Sequence, residues 1–318
     1  MAEEPVVENL SEGRKKLASA ILILFVLGLM AASIASRISS EGVGRHGRAT
    51  EHYLRLIHEK KPNATEAAEA ISRLDTNAMP TITNFVCFQD SWWRINAQKL
   101  LGESFLKVRI YNKFDFRTMA REGFHLVGTN AGPYLVELLR DAPLEYAGPD
   151  NRAYLASTCL VQLGPPAIPA LAAGLTSDDA SIRALSALAI SSSSDVRHFS
   201  QVSNLVNCAH DTNTNVRAAA VFALGRVLEE PQLSVPALAQ GLSDTNSAVR
   251  FHSIFSLWAF GVHSKSAIPQ IEQAIAKEPT IPDAGFEQSE LGPKSRAMIM
   301  EALTNALQTI RTHDETPN

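Results

Sequence analysis

The chain has 318 residues, 45% of them hydrophobic and 19% charged, with a formal net charge of −4. That length is sufficient for a sizeable core, and the absence of a basic excess argues against a nucleic-acid-binding surface. Three scattered cysteines, Cys87, Cys159 and Cys208, fit neither a disulfide framework nor a metal site, and we expect buried thiols.

An uncharged run near the N-terminus predicts a membrane span. Residues 17–36 (LASAILILFVLGLMAASIAS) contain 20 uncharged residues, which as a helix cross about 30 Å of hydrocarbon. We predict a polar tail at 1–16, a single transmembrane helix at 17–36 and a linker at 37–48. A cleaved signal peptide is an alternative, because Ser33-Ile34-Ala35 fits a small-x-small site. A buried soluble helix is a third, but the run has no polar face.

The charges that flank this run bear on its orientation. Within five residues of the run, three basic side chains lie on the N-terminal side and one on the C-terminal side. The positive-inside rule then favours an exterior or periplasmic location for the rest of the chain. A wider window adds Arg45, Arg48 and Arg55 to the C-terminal side and removes the difference.

Two phrases alternate through the rest of the chain. The first places a proline before an apolar helix-like run, as in TNAMPTITNFV (76–86) and TNAGPYLVELL (129–139), and returns at prolines 169, 236 and 269. The second places an aspartate six residues before an arginine, as in DTNTNVR (211–217) and DTNSAVR (244–250). Arginines 183, 217 and 250 recur every 33 or 34 residues. Two helical phrases per period predict stacked helix pairs, so we assign residues 49–312 to a solenoid and 313–318 to a tail.

The proline has a physical reason at the start of a helix. Pro80 would lie in the first turn, where amides have no intrahelical partner, so its missing N–H costs nothing. Thr76 or Asn77 is expected to be the N-cap, with its side chain accepting a free amide.

These phrases resemble HEAT repeats, particularly the short repeats of phycobilisome-lyase-type proteins. The resemblance is strongest in AIPALAAGL (167–175) followed by SDDASIRALSALA (177–189). It implies an all-α, right-handed α-α superhelix of about 14 helices after the transmembrane helix. Tetratricopeptide and ankyrin repeats have similar periods, but their signature residues are missing. Segments 103–116 and 278–294 interrupt the pattern and are expected to be loops.

The resemblance also implies that each arginine bonds an aspartate in the turn of a neighbouring repeat. The predicted structural ladder consists of Arg94, Arg183, Arg217, Arg250, Asp211 and Asp244. An alternative is a row of arginines for an anionic ligand, but aspartates in register would neutralise it. Asp211 and Asp244 are also expected to cap the helices that follow them.

Motifs for chemistry are missing from the sequence, so we predict no catalytic, cofactor-binding or metal-binding residue. HExxH, Walker and GxSxG patterns do not occur. The one His-Glu pair, His58-Glu59, cannot supply the several pairs that a di-iron HEAT-type hydroxylase needs, and a solvent-exposed helix face is expected. Trp258 lies in the apolar run SIFSLWAF and is expected in the core.

We therefore expect a membrane-tethered scaffold for protein–protein interaction that is not an enzyme and has no small-molecule substrate. A HEAT-like lyase or metal-dependent hydroxylase is the alternative, and a nucleic-acid binder is a third. The resemblance implies that the second helix of each pair lines the concave face. Those helices include RALSALAI (183–190) and RAAAVFALG (217–225), whose small apolar residues suit an unidentified partner's helix or extended segment.

Overall fold

The structure, a computed structural model, describes residues 45–88, 111–140, 142, 151–193, 199–277 and 292–312. Fourteen α-helices and no β-strand lie in these residues, so the predicted all-α class is confirmed. In chain order they are α1 Arg45–His58, α2 Ala64–Leu74, α3 Met79–Cys87, α4 Lys113–Val127, α5 Gly132–Glu137, α6 Arg152–Leu163, α7 Ile168–Gly174, α8 Ala180–Ser192, α9 Val202–Ala209, α10 Thr214–Val227, α11 Pro231–Gly241, α12 Ser247–Phe260, α13 Ile268–Lys277 and α14 Gly292–Thr312.

The helices form two layers. Each odd-numbered helix, called an A helix, packs against the even-numbered B helix that follows it. Each B helix also packs against the next B helix, from α2 through to α14. Every repeat is therefore buried by its neighbours, as stacked helix pairs require.

The A helices bury the same position in successive repeats. In the copies that contain the proline, this position lies two residues after it. It is held by Ile82, Leu135, Leu171, Leu205, Leu238 and Ile271, all of which are buried. Burial of one such side chain contributes about 1.5–3 kcal/mol, so this column is a main part of the core.

The turn before α3 differs from the prediction. Residues 75–78 form a 3₁₀ turn, and the N-cap of α3 is Ala78, which has no side-chain cap. The prediction of Thr76 or Asn77 as N-cap was wrong, because the Met79 amide donates instead to the Thr76 carbonyl within the 3₁₀ turn. Pro80 does lie in the first turn of α3.

Two helices begin earlier than the sequence suggested. α1 begins at Arg45, so residues 45–48 of the predicted linker are helical. α4 begins at Lys113, inside the predicted interruption at 103–116. Its start is fixed by a capping box, in which the Asn112 side chain accepts from the Asp115 amide at 3.0 Å and the Asp115 side chain accepts from the Asn112 amide at 2.9 Å.

The predicted transmembrane residues 17–36 lie outside the described residues. Within the described residues, no single helix is long and apolar enough to cross a membrane. α6 and the segment 165–174 satisfy length and composition only when taken together, and they are bent by 117°.

Candidate functional site

Two arginines connect successive repeats through bidentate ion pairs. Arg183 donates to both carboxylate oxygens of Asp211 at 2.7 and 3.0 Å. Arg217 donates to Asp244 at the same two distances. Each of these side chains is less than a fifth exposed. Each pair therefore links a B helix to the turn before the next one.

The same guanidinium groups also bind the turn before their own helix. Nη1 of Arg217 donates to the carbonyls of Asp211 and Thr212, at 3.0 and 3.2 Å. Nη1 of Arg250 donates to the equivalent carbonyls of Asp244 and Thr245, at 3.0 and 3.1 Å, and this arginine is only 1% exposed. Arg94, the remaining predicted member of the ladder, lies outside the described residues.

The two aspartates are not the helix caps that the sequence suggested. The N-caps of α10 and α12 are Asn213 and Asn246, whose side chains accept amides of the first turn. Asp211 and Asp244 lie two residues earlier, and each accepts from the amide of that asparagine at 2.8 Å. The aspartates therefore shape the turn, while both of their carboxylate oxygens accept from the arginine.

The pKa values of these groups follow from the pairing. Burial acts to raise the pKa of Asp211, but hydrogen bonds from Arg183 and the Asn213 amide outweigh it and lower the pKa below its ordinary value. The pKa of Asp244 is lowered in the same way, by hydrogen bonds from Arg217 and the Asn246 amide that outweigh burial. Both carboxylates are charged at neutral pH and neutralise the arginines, so the ladder offers little net charge to an external anion.

A different set of residues faces outward from the B helices. The position five residues after each ladder arginine is held by Leu188 on α8, Phe222 on α10 and Phe255 on α12, exposed by 39%, 36% and 38%. Leu185 and Ala218, on the same sides of α8 and α10, are half-buried. The outward surface is therefore apolar across three consecutive repeats.

On α10 and α12 this surface becomes a continuous aromatic cluster. Ring centroids lie 5.1 Å apart for Phe222 and His252, 5.7 Å for His252 and Phe251, 4.6 Å for Phe251 and Phe255, and 6.0 Å for Phe255 and Trp258. We call these five side chains the aromatic face.

Trp258 was expected in the core, and that expectation was wrong. Its side chain is 48% exposed, because the inward positions of α12 are taken by Ile254, Leu257 and Phe260. Adjacent helical residues point about 100° apart, so the residue after Leu257 must turn away from the core. An apolar run that is too wide for the core leaves its excess at the surface.

A cleft of about 430 Å³ lies at the surface between α12 and α14. Phe251, Phe255 and Trp258 form one wall. The other wall carries polar groups of α14, among them Glu301, Asn305 and Gln308. The cleft is open to solvent and large enough for one or two side chains of a bound molecule.

The three B helices that carry the outward apolar surface, α8, α10 and α12, are almost uncharged outside the ladder. On α8, α10 and α12, Arg183, Arg217 and Arg250 are held in the ladder contacts, and Arg226 is the remaining arginine or lysine. These helices contain no aspartate or glutamate. The pKa of His252 is lowered by burial, so this histidine is neutral at physiological pH.

Groups that could carry chemistry do not converge in the described residues. No group of three or more His, Cys, Asp and Glu residues there could hold a metal ion. Burial raises the pKa of Cys159 to about 12 and that of Cys208 to about 11, so both thiols are protonated at neutral pH and are poor nucleophiles. Cys87, expected to be buried, is exposed.

His58 also differs from the expectation of a solvent-exposed helix face. Its Nε2 lies 3.1 Å from Oδ1 of Asp115 on α4, and both side chains are largely buried. Glu59 accepts a hydrogen bond from the Tyr111 hydroxyl. The His-Glu pair therefore helps to join α1 to α4.

Comparisons with known proteins found similarity at low sequence identity. No curated protein matches the chain. Among solved structures, an engineered protein shares 16% identity and a TM-score of 0.40, covering 82% of this chain and 68% of its own. Kap95p, in a structure of its binding to RanGDP, shares 14% identity and a TM-score of 0.43 over 87% of this chain, which spans only 35% of Kap95p. Cex1p shares 12% identity and a TM-score of 0.39, over 90% of this chain and 58% of its own.

A family model matches one part of the chain. Residues 202–282 match the HEAT repeats family, and this range contains α9 to α13 together with the Arg217–Asp244 pair and the aromatic face. The match covers less than half of the chain. The resemblance to HEAT repeats expected from the sequence is thus confirmed for residues 202–282.

Proposed function

We propose that the chain is a non-catalytic scaffold that binds another protein through the aromatic face and is tethered to a membrane by residues 17–36. The observation that carries this proposal is the aromatic face itself. Exposed aromatic side chains in contact with one another are unfavourable in water, and clusters of this kind are typical of protein-binding sites. Tryptophan is also among the residues most often found at binding hot spots.

The partner that fits best is an apolar segment of a protein, and specifically an amphipathic helix. Its apolar stripe would lie across α10, α12 and α14, with one side chain in the cleft between α12 and α14. Nucleic acid fits poorly, because its phosphates need a basic surface and Arg226 is the one exposed arginine or lysine on α8, α10 and α12.

The ladder supports this role by holding the binding surface rigid. The Arg183–Asp211 pair connects α8 to the turn before α10, and the Arg217–Asp244 pair connects α10 to the turn before α12. A surface that is already ordered loses less entropy on binding, which favours affinity.

The test uses two matched substitutions at exposed apolar residues. Phe255 lies in the aromatic face, and Leu233, exposed by 40%, lies at the start of α11 in the other layer. Proteins that copurify with the full-length chain from its native membrane should be depleted by Phe255→Asp and retained by Leu233→Asp. Recovery of the same proteins in the same amounts from both variants would contradict the proposal.

Membrane tethering rests on the uncharged run at 17–36 and has its own test. Full-length protein should remain with membranes after carbonate extraction. Protease added outside the cells should degrade a solenoid on the exterior. A periplasmic solenoid should be degraded once the outer membrane has been opened and the inner membrane is still intact. Full-length protein in the soluble fraction would contradict tethering, and a mature N-terminus near Ser36 would show a cleaved signal peptide instead.

The enzymatic alternative is tested by metal analysis. A hydroxylase of the di-iron kind would retain iron through purification. We expect no stoichiometric metal in the purified full-length protein, measured by plasma mass spectrometry. About one iron or zinc per chain, removable only by strong chelators, would favour the enzyme over the scaffold.

A further inference from the structure

We propose that the cleft between α12 and α14 receives one arginine side chain of the bound segment, with its guanidinium stacked on Trp258 and bonded to Glu301. This inference rests on the proposed function and names the chemistry of the segment that binds. The binding site consists of an aromatic wall and an acidic, amide-bearing wall that face each other.

The aromatic wall attracts cations. Phe251, Phe255 and Trp258 line the cleft with their rings partly exposed, and the face of an aromatic ring carries negative electrostatic potential. Tryptophan is the best partner for a cation among the aromatic residues, and arginine is the cation most often found there. The aromatic wall therefore favours an arginine over a purely apolar side chain.

The wall on α14 supplies acceptors at the same place. The Glu301 carboxylate provides one negative charge, and the side-chain carbonyls of Asn305 and Gln308 can accept further hydrogen bonds. Glu301 makes no ion pair or side-chain hydrogen bond with the described residues, so its carboxylate is available.

These features together favour arginine over lysine. A guanidinium is planar, so it stacks on an indole while its edge donates several hydrogen bonds in a fixed fork. A lysine ammonium is a compact, strongly hydrated charge that cannot do both. A carboxylate beside two amide groups matches the fork better than it matches a single ammonium.

Two described side chains near the cleft that can carry positive charge, Arg311 and His252, do not compete for it. Arg311, one turn beyond Gln308 on α14, pairs with Glu272 of α13. His252, beside Phe251, has a pKa lowered by burial and is neutral at physiological pH, so it does not repel a bound cation.

The test uses full-length protein in nanodiscs of uncharged phosphatidylcholine and a displayed library of short random peptides. The most enriched peptide is synthesised with arginine, lysine or uncharged citrulline at one position, and binding is measured by fluorescence anisotropy. We expect enriched peptides to contain an arginine among apolar residues. The citrulline and lysine forms should bind about tenfold more weakly.

Substitutions in the protein locate the effect. Glu301→Gln and Trp258→Leu should abolish the preference for arginine over citrulline. Glu66→Gln, at an exposed site on α2, should preserve it. Loss of the preference in Glu66→Gln as well would show that it reflects net charge and would overturn the cleft assignment.

The outcomes separate this inference from the proposed function. Equal binding of the arginine and citrulline peptides, with binding still lost in Phe255→Asp, would overturn the arginine pocket and leave the scaffold intact. Equal binding of arginine and lysine peptides would overturn the choice of arginine. If the library yields no peptide whose binding depends on Phe255, both proposals are contradicted.

Discussion

Arg217 donates hydrogen bonds to both carboxylate oxygens of Asp244, at 2.7 and 3.0 Å, and so joins α10 to the turn before α12. The equivalent pair, Arg183 with Asp211, joins α8 to the turn that starts α10. Because each arginine also binds carbonyls of its own turn, one side chain fixes two turns at once. The register between successive repeats is therefore set by charged hydrogen bonds as well as by apolar packing.

Removal of one such arginine should destabilise the array. In Arg217→Ala, Asp244 keeps its charge in a largely buried position without its partner, and the loss should be about 1–3 kcal/mol. Arg311→Ala is the control, because Arg311 and its partner Glu272 are about half exposed, and exposed pairs contribute little. Urea unfolding followed by circular dichroism measures both. Equal, negligible effects would show that the ladder does not stabilise the repeats.

Close approach of α10 and α12 should make Gly225 intolerant of alanine. A Cβ added there would lie 2.6 Å from the Ser256 Cβ and 2.8 Å from its Cα, so no rotamer change relieves the contact. Gly225→Ala should therefore lower the free energy of unfolding by about 1–3 kcal/mol, despite the better helix propensity of alanine.

Gly241 provides the contrast. An added Cβ there meets mainly the Ser253 hydroxyl, at 2.2 Å, and that hydroxyl is buried without a hydrogen-bond partner in the described residues. Ser253→Ala should thus rescue Gly241→Ala, whereas Ser256→Ala should not rescue Gly225→Ala. Thermal unfolding is measured for Gly241→Ala and Gly225→Ala, each alone and combined with its serine substitution. Full rescue in both double variants would contradict the backbone clash at Gly225.

A strained turn before α3 should be relieved by glycine. Asp75 has φ 50° and ψ −129°, close to the angles of Gly128, Gly164 and Gly261 in the equivalent turns. Asp75→Gly also loses the exposed hydrogen bonds from Asn130, but only glycine adopts this region without strain, so relief of the strain should leave a net stabilisation of about 1 kcal/mol. Asp75→Ala retains the strain and loses the hydrogen bonds from Asn130, so it should destabilise. A shift of both variants in the same direction in urea unfolding would contradict this account.

His252 should make the aromatic face sensitive to acid. Its pKa is lowered by burial from the ordinary 6.5, so below about pH 6.5 the unfolded chain binds this proton more readily than the folded chain. The stability that the neutral histidine allows is therefore lost as the pH falls through its folded pKa. The difference in unfolding free energy between wild type and His252→Gln should shrink on acidification. Parallel pH profiles for the two proteins would contradict the shift.

The repeated phrases predicted the pairing of helices because they record both the period and the apolar side of each helix. They did not identify the caps. In DTNTNVR both Asp211 and Asn213 can accept amides, and only the position of the preceding repeat shows that Asp211 is needed for Arg183. Local sequence does not contain that contact.

Trp258 shows a second limit of the sequence pattern. SIFSLWAF is apolar on nearly every side, so its periodicity does not distinguish the core from the surface. The ladder arginines indicate which side of each B helix faces outward, because the fifth residue after each of them is exposed. Trp258 lies three residues after one of these, Phe255, and therefore on the same side of α12. The cleft could not be inferred in this way, because no aspartate stands six residues before an arginine in the sequence of α14 or of the segment that precedes it.

Photocross-linking tests the central claim most directly. Benzoylphenylalanine is placed at Phe222, Phe255 or Leu233 of the full-length chain in its native cells, and the products are identified by mass spectrometry. The account predicts one discrete protein partner cross-linked from positions 222 and 255 and not from position 233. No protein product from positions 222 and 255, or the same products from all three positions, would contradict the aromatic face as the binding surface.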